Sequence, residues 1–200
     1  MPKVIDHDQR RSDIIDVTWG LIVKGGLEAA TMREIAAEAG FANGALKHYF
    51  PGKDEIIQGT YERALGMMSS GVETAVGDKT GLAALRAIVY ASAPTTAESI
   101  TAGRVLLSFW ERALSNEELH QAYRDHLVAW RAGLLSYLAQ GRADGDIVTE
   151  TPDEQLVDEI VLINAGANIM SLIAPDLSTP ALLTAQLDAF FERITGATRA

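Results

Sequence analysis

The side chains of this sequence that could carry a proton or hold a metal are its four histidines, His7, His48, His120 and His126, and the acidic pairs Asp153–Glu154 and Asp158–Glu159. Their spacing is wrong for either task. The histidines are scattered along the chain, and although His120 lies near Asp125 and His126, no His-Glu-x-x-His pattern occurs, and the acidic pairs sit where solvated helix starts belong. With no cysteine in the chain, thiol nucleophiles, disulfides and thiolate metal sites are excluded together. No catalytic residue, metal or cofactor is expected, and a helical enzyme is the weakest of the functional alternatives.

A different chemistry is concentrated between Gly40 and Lys53. This stretch holds Lys47, His48 and Lys53 and no acid, in a chain whose net charge is −10. Most of the negative charge lies beyond residue 63, where the balance is −8 against −2 before it. A locally cationic edge can therefore meet a polyanion on an otherwise acidic protein. Gly44 and Ala45 leave room for a backbone to approach a groove, and Lys47, His48, Tyr49 and Lys53 supply cationic and hydrogen-bonding groups beside it.

The elements that must position these groups are helices throughout. No alternating strand pattern occurs, so an all-α fold of about nine helices is expected. The first runs from about Gln9 to Lys24, with Ile14, Val17, Thr18 and Leu21 as its inner face, and ends at Gly25-Gly26. Thr31 caps a short second helix, with Glu34 closing a capping box. After Gly40-Phe41-Ala42, Asn43 caps a second short helix that Pro51-Gly52 stops. A long helix follows from Lys53 to about Val76. Further starts are expected at Thr80, at Thr95 with Glu98, at Ser115 with Glu118, at Thr151-Pro152-Asp153-Glu154 and at Thr179-Pro180. Two short helices joined by a glycine turn form a helix-turn-helix. An ordinary helical corner with a solvated polar face would show the same pattern, so spacing leaves both readings open; residues 1–52 are expected to hold three helices and 53–200 six.

The run Thr31-Met32-Arg33-Glu34-Ile35-Ala36, through Ala39-Gly40-Phe41, to Gly44-Ala45-Leu46-Lys47-His48-Tyr49-Phe50-Pro51-Gly52-Lys53 resembles the DNA-binding region of TetR-family regulators, with Ile14-Ile15-Asp16 and Gly26 extending the match upstream. The resemblance implies that residues 1–52 are a three-helix DNA-binding domain, that the protein is a homodimer on double-stranded operator DNA, and that repression is usually relieved by a ligand. It implies phosphate contact by Thr31, a groove-edge position for Arg33, a recognition surface of Asn43, Gly44, Ala45, Lys47 and His48, and phosphate clamps at Tyr49 and Lys53. Leu46 and Phe50 would anchor the short helix to Ile35 and Ile15. The sequence departs from the family pattern at Ala42 and Ala45, where hydroxyls are common, and at Lys47, where a tyrosine ring is exchanged for a point charge.

Val105 to Ala113, followed by Glu118-Leu119, resembles the betaine-pathway repressor subset of that family. Leu106, Phe109 and Trp110 on one helix, with Tyr123, His126 and Trp130 on the next, are the candidate contacts for a small-molecule effector, because polar-tipped aromatics are costly to bury unpaired. The helix from Leu156 to Ala174 is apolar all round and must be covered on both sides. With the last helix it suits a dimer bundle through Ile160, Asn164, Ala167, Asn168, Leu183, Leu187 and Phe190. No apolar run long enough to span a bilayer and no signal peptide is expected, so the protein is read as cytoplasmic, without a membrane partner. A DNA-binding dimer that answers to no effector is the alternative.

Overall fold

The computed structural model describes residues 7–42 and 44–196, and every described element is helical. The chain forms α1 (His7–Ala29), α2 (Met32–Glu38), a 3-10 segment (Ala45–His48), α3 (Lys53–Val76), α4 (Gly81–Ser92), α5 (Ala97–Ala113), α6 (Glu117–Ala143), α7 (Asp153–Ile173) and α8 (Pro180–Thr195). The nine expected helices are thus eight α-helices and one 3-10 turn. The expected recognition helix, capped by Asn43, is that turn. Asn43 lies outside the described residues. The neighbouring Gly44 starts the segment at φ 97°, a left-handed conformation that suits glycine, and Pro51 follows closely, so too few residues remain for an α-helix.

Two compact units can be distinguished, one of Met1–Gly66 with Arg104–Gln121, the other of Met67–Gly103 with Ala122–Ala200. In the first, Ile14, Thr18 and Ile22 of α1, Ile35 and Ala36 of α2, Leu46, Phe50, and Ile56, Ile57 and Tyr61 of α3 form the core. Gly26 bends α1 at φ 70° where an end at Gly25-Gly26 was expected, and the helix resumes to Ala29. The expected domain border at residue 52 is not the edge of this unit. At Gly59 the α3 backbone comes so near Ile15 and Phe50 that a Cβ there would lie 2.8 Å from the Ile15 side chain. The end of α5 belongs here too, with the Phe109 ring stacked on Tyr61 at 3.7 Å.

In the second unit α4, α6, α7 and α8 enclose Leu85, Val89, Leu134, Leu138, Leu156, Val157, Ile160, Leu187, Phe190 and Phe191. Arg142 pins the connection into α7, donating to Asp153 and to the carbonyls of Thr149 and Thr151, each at 2.6 Å. The α7 helix runs 21 residues with a mean hydropathy of 1.6 in its most apolar window, long and apolar enough to cross a membrane. This corrects the expectation that no such run exists. One side of α7 serves the core, while Leu162 (72% exposed) and Ile173 (69%) leave the other uncovered by this chain.

Caps were legible where one residue could supply them. Thr31 accepts from the Glu34 amide, and Thr179 from the Leu182 amide ahead of Pro180. Three others moved. Thr96, not Thr95, caps α5 by accepting from Ser99; Asn116, not Ser115, caps α6 by accepting from Leu119; and Pro152 stands at the α7 cap position while Thr151 bonds Thr149.

Candidate nucleic-acid interface

Lys47 and His48 of the cationic edge are placed by apolar neighbours that the first unit buries. Leu46, 1% exposed, turns Lys47 and His48 outward from the 3-10 segment, and fully buried Phe50 ends the segment against α1 and α3. Thr31 and Arg33 are exposed at the start of α2. The Thr31 hydroxyl is spent as a cap, at 3.2 Å from the Glu34 amide, which fixes the first turn and its outward-facing amides. The Arg33 guanidinium donates to Glu34 at 2.8 Å, holding that carboxyl below its ordinary range. An anion at the α2 start would compete with Glu34 for this arginine.

Tyr49 is half-buried, its ring 5.4 Å from Phe41 and 5.1 Å from His7. Lys53 is also half-buried and donates to the Leu27 carbonyl at 3.2 Å. An ammonium has three donors, so this bond aims the lysine while leaving donors to offer. It also ties α3 to the end of α1.

Two further cations stand here that the sequence reading did not include. Arg10 lies over the Phe41 ring at 5.6 Å and Arg11 over the Phe50 ring at 4.1 Å, and Arg11 also donates to the Tyr49 carbonyl. A signal was present in the sequence. Arginines close to a helix N-terminus oppose the helix dipole, so adjacent ones there ask for another reason.

The candidate ligand residues are divided between the two units. Leu106 and Phe109 are buried in the first, and the stack on Tyr61 gives a face of Phe109 to the core. Trp110 is half-buried in that unit. Tyr123, His126 and Trp130 are half-buried along one face of α6 in the second, where burial raises the Tyr123 pKa and lowers that of His126. The candidate dimer residues also fall differently from the expectation. Ile160, Ala167, Asn168, Leu183, Leu187 and Phe190 are buried within a single chain, and the half-buried Asn164 donates to the Ser92 carbonyl at 2.9 Å. The core of their own protomer already claims these side chains. From α7 to α8, the large apolar groups left exposed among the described residues are Leu162, Met170, Ile173, Leu177 and Leu182.

Two family models match the chain: bacterial regulatory proteins of the tetR family over residues 14–59, and the BetI-type transcriptional repressor C-terminal region over residues 82–196. The HTH-type transcriptional regulator PksA of Bacillus subtilis is 32% identical over 156 residues, covering 75% of this chain and 76% of that protein. A regulator named BetI from Serratia proteamaculans is 29% identical over 124 residues, 60% of this chain and 63% of its own length. In fold, the chain is similar to a transcriptional regulator from Saccharomonospora viridis solved in complex with choline, at a TM-score of 0.84 and 19% identity over 92% of this chain and 96% of that one.

Proposed function

The chain belongs to the TetR family of bacterial regulatory proteins, with a BetI-type repressor C-terminal region, and on that premise we propose that it represses transcription in the cytoplasm as a homodimer on a near-palindromic operator. A small molecule would release it. The observation that carries the DNA-binding part is the exposed Lys47–His48 pair, fixed from behind by buried Leu46 and Phe50 and flanked by Thr31, Arg33, Tyr49 and Lys53. In this reading Gly44 and Ala45 admit the groove edge, Asn43 joins the recognition surface, and the 1–52 stretch is the DNA-reading part with 53–200 as the sensing and dimerising part.

The partner that covers α7 is a second copy of the chain. Leu162, Gly166, Met170 and Ile173 follow one another at helical spacing, and Leu177 and Leu182 continue the apolar surface into α8. Among the described residues, and apart from the helix's own adjoining backbone, nothing stands within 4 Å of where a Gly166 Cβ would be. A glycine inside a helix costs about 0.5–1 kcal/mol relative to alanine, and close approach of a partner helix gives it a use. Ile160, Asn164, Ala167, Asn168, Leu183, Leu187 and Phe190, the residues expected in the dimer bundle, then support this surface from beneath.

For the effector, Tyr123, His126 and Trp130 offer aromatic faces with polar tips, the composition that receives an amphipathic or quaternary ammonium compound. Choline in the Saccharomonospora relative supports that class. Selection of duplexes from a random-sequence library tests the operator, with a two-fold symmetric motif as the expected product. Recovery of no motif, or of a single asymmetric half-site, would refute it. Titrating choline into the complex by fluorescence anisotropy tests release. No release by choline, with no small molecule retained by the native dimer in mass spectrometry, would favour the effector-independent regulator.

A further inference from the structure

We infer that α1 contributes its own operator-phosphate contact, carried by Arg11 and assisted by Arg10, beyond the surface of the two short helices. The inference rests on the DNA-binding reading and extends that site. Arg11 is exposed, yet it is held at two points: its guanidinium sits 4.1 Å from the centre of the buried Phe50 ring, and one N–H group donates to the Tyr49 carbonyl. A guanidinium has five N–H donors in a planar fork, and a ring face together with one carbonyl leaves much of that fork outward. Both anchors belong to the residues that directly follow the exposed Lys47 and His48, so the charge is presented at the exit of the recognition turn. Arg10, also exposed, lies over Phe41 at 5.6 Å, and the His7 ring approaches Tyr49.

Arg10 pairs with Asp13 at 3.7 Å, an exposed contact that a phosphate can replace at little cost. The first turns of α1 thus bring cations to the edge that already holds Tyr49 and Lys53. Stacking and the carbonyl bond lower the rotamer freedom Arg11 would otherwise lose on binding, which favours a phosphate contact over a wandering surface arginine. Such an arginine reads no bases and adds affinity to every duplex.

The test is a salt series on the full chain with the selected operator and an unrelated duplex, comparing wild type with Arg11→Gln and Arg11→Lys. Removing one cation from a phosphate lowers the slope of log affinity against log salt by about 0.9. Arg11→Gln retains a donor for the Tyr49 carbonyl, so it is expected to keep the wild-type melting temperature, give up that slope increment per protomer, and weaken both duplexes by the same factor. Arg11→Lys should restore the slope and only part of the affinity. An unchanged slope in a folded Arg11→Gln, or weakening on the operator alone, would make Arg11 a prop for the recognition turn and overturn the inference. A wild type that binds no duplex would remove the DNA-binding reading itself, an outcome distinguishable because it appears before any substitution is made.

Discussion

Arg112 grips both carboxylate oxygens of Asp54, its Nε donating to Oδ1 at 2.7 Å and its Nη2 to Oδ2 at 2.9 Å. Asn116 donates to the same Oδ2 at 2.9 Å while its own Oδ1 accepts from the Leu119 amide. One carboxylate therefore fastens the first turn of α3, next to Lys53, to the corner where α5 ends and α6 begins. A displacement of that corner would pull on Asp54 through these bonds.

The Arg112 hydrogen bonds hold the Asp54 carboxyl below its ordinary pKa. A depressed folded-state pKa gives stability that is present above the unfolded value, about 3.9, and is lost as pH falls through the folded one. Asp54→Asn is expected to cost about 1 kcal/mol at neutral pH, the pair being partly exposed. The deficit should shrink in acid. Urea unfolding at neutral pH and near pH 3 measures it, and an equal deficit at both would deny the carboxylate this role.

Lys47 and Lys53 should separate in their effects, because Lys47 is exposed on the recognition turn and Lys53 is half-buried against Leu27. Lys53→Ala is expected to weaken all duplexes and lower the salt slope by about one per protomer. It should also destabilise the fold slightly by removing the bond that ties α3 to the Leu27 carbonyl. Lys47→Ala should alter which bases are preferred. Equal shifts in specificity for both variants, measured by repeating the library selection, would contradict the assignment.

Tyr90 is pushed up to about 12 by burial and by its hydrogen bond to Asp188. A raised folded-state value means stability that is complete below about pH 10 and is lost as pH climbs from there to about 12. Tyr90 should ionise late, within that window. Tyr90→Phe is expected to remove that late step from an ultraviolet titration and to blunt alkaline unfolding. A Tyr90→Phe titration superimposable on wild type would show that another tyrosine carries the shift.

The parts of this fold legible in the sequence were those decided within a few residues. Thr31 and Thr179 cap helices because a hydroxyl reaches the amide three positions on, whatever the rest of the chain does. Asn116 prevailed over Ser115 with an oxygen that only orients when Asp54, 62 positions earlier, takes its amide nitrogen. Arg11 escaped notice for the same reason, since its carbonyl partner stands 38 positions later. In α7 the pattern itself was silent: when Ile160 and Leu162 are both apolar, periodicity does not say which faces its own core.

That last ambiguity supplies the sharpest test of the dimer. Leu162 is 72% exposed and Leu187 only 2%, though both are leucines on helices assigned to the interface. Burying a leucine fully stabilises by about 1.5–3 kcal/mol, and in a two-fold dimer each substitution acts twice. Leu162→Glu should therefore convert the dimer to monomers that keep the helical circular dichroism and unfolding midpoint of a single folded chain. Leu187→Glu should instead place a charge inside the protomer and unfold the second unit at any concentration. Ile173→Glu should follow Leu162→Glu. Sedimentation velocity over a concentration series distinguishes dissociation from unfolding. If Leu162→Glu and Ile173→Glu both sedimented as dimers with wild-type stability, the exposed stripe of α7 would not be the surface that meets the second copy.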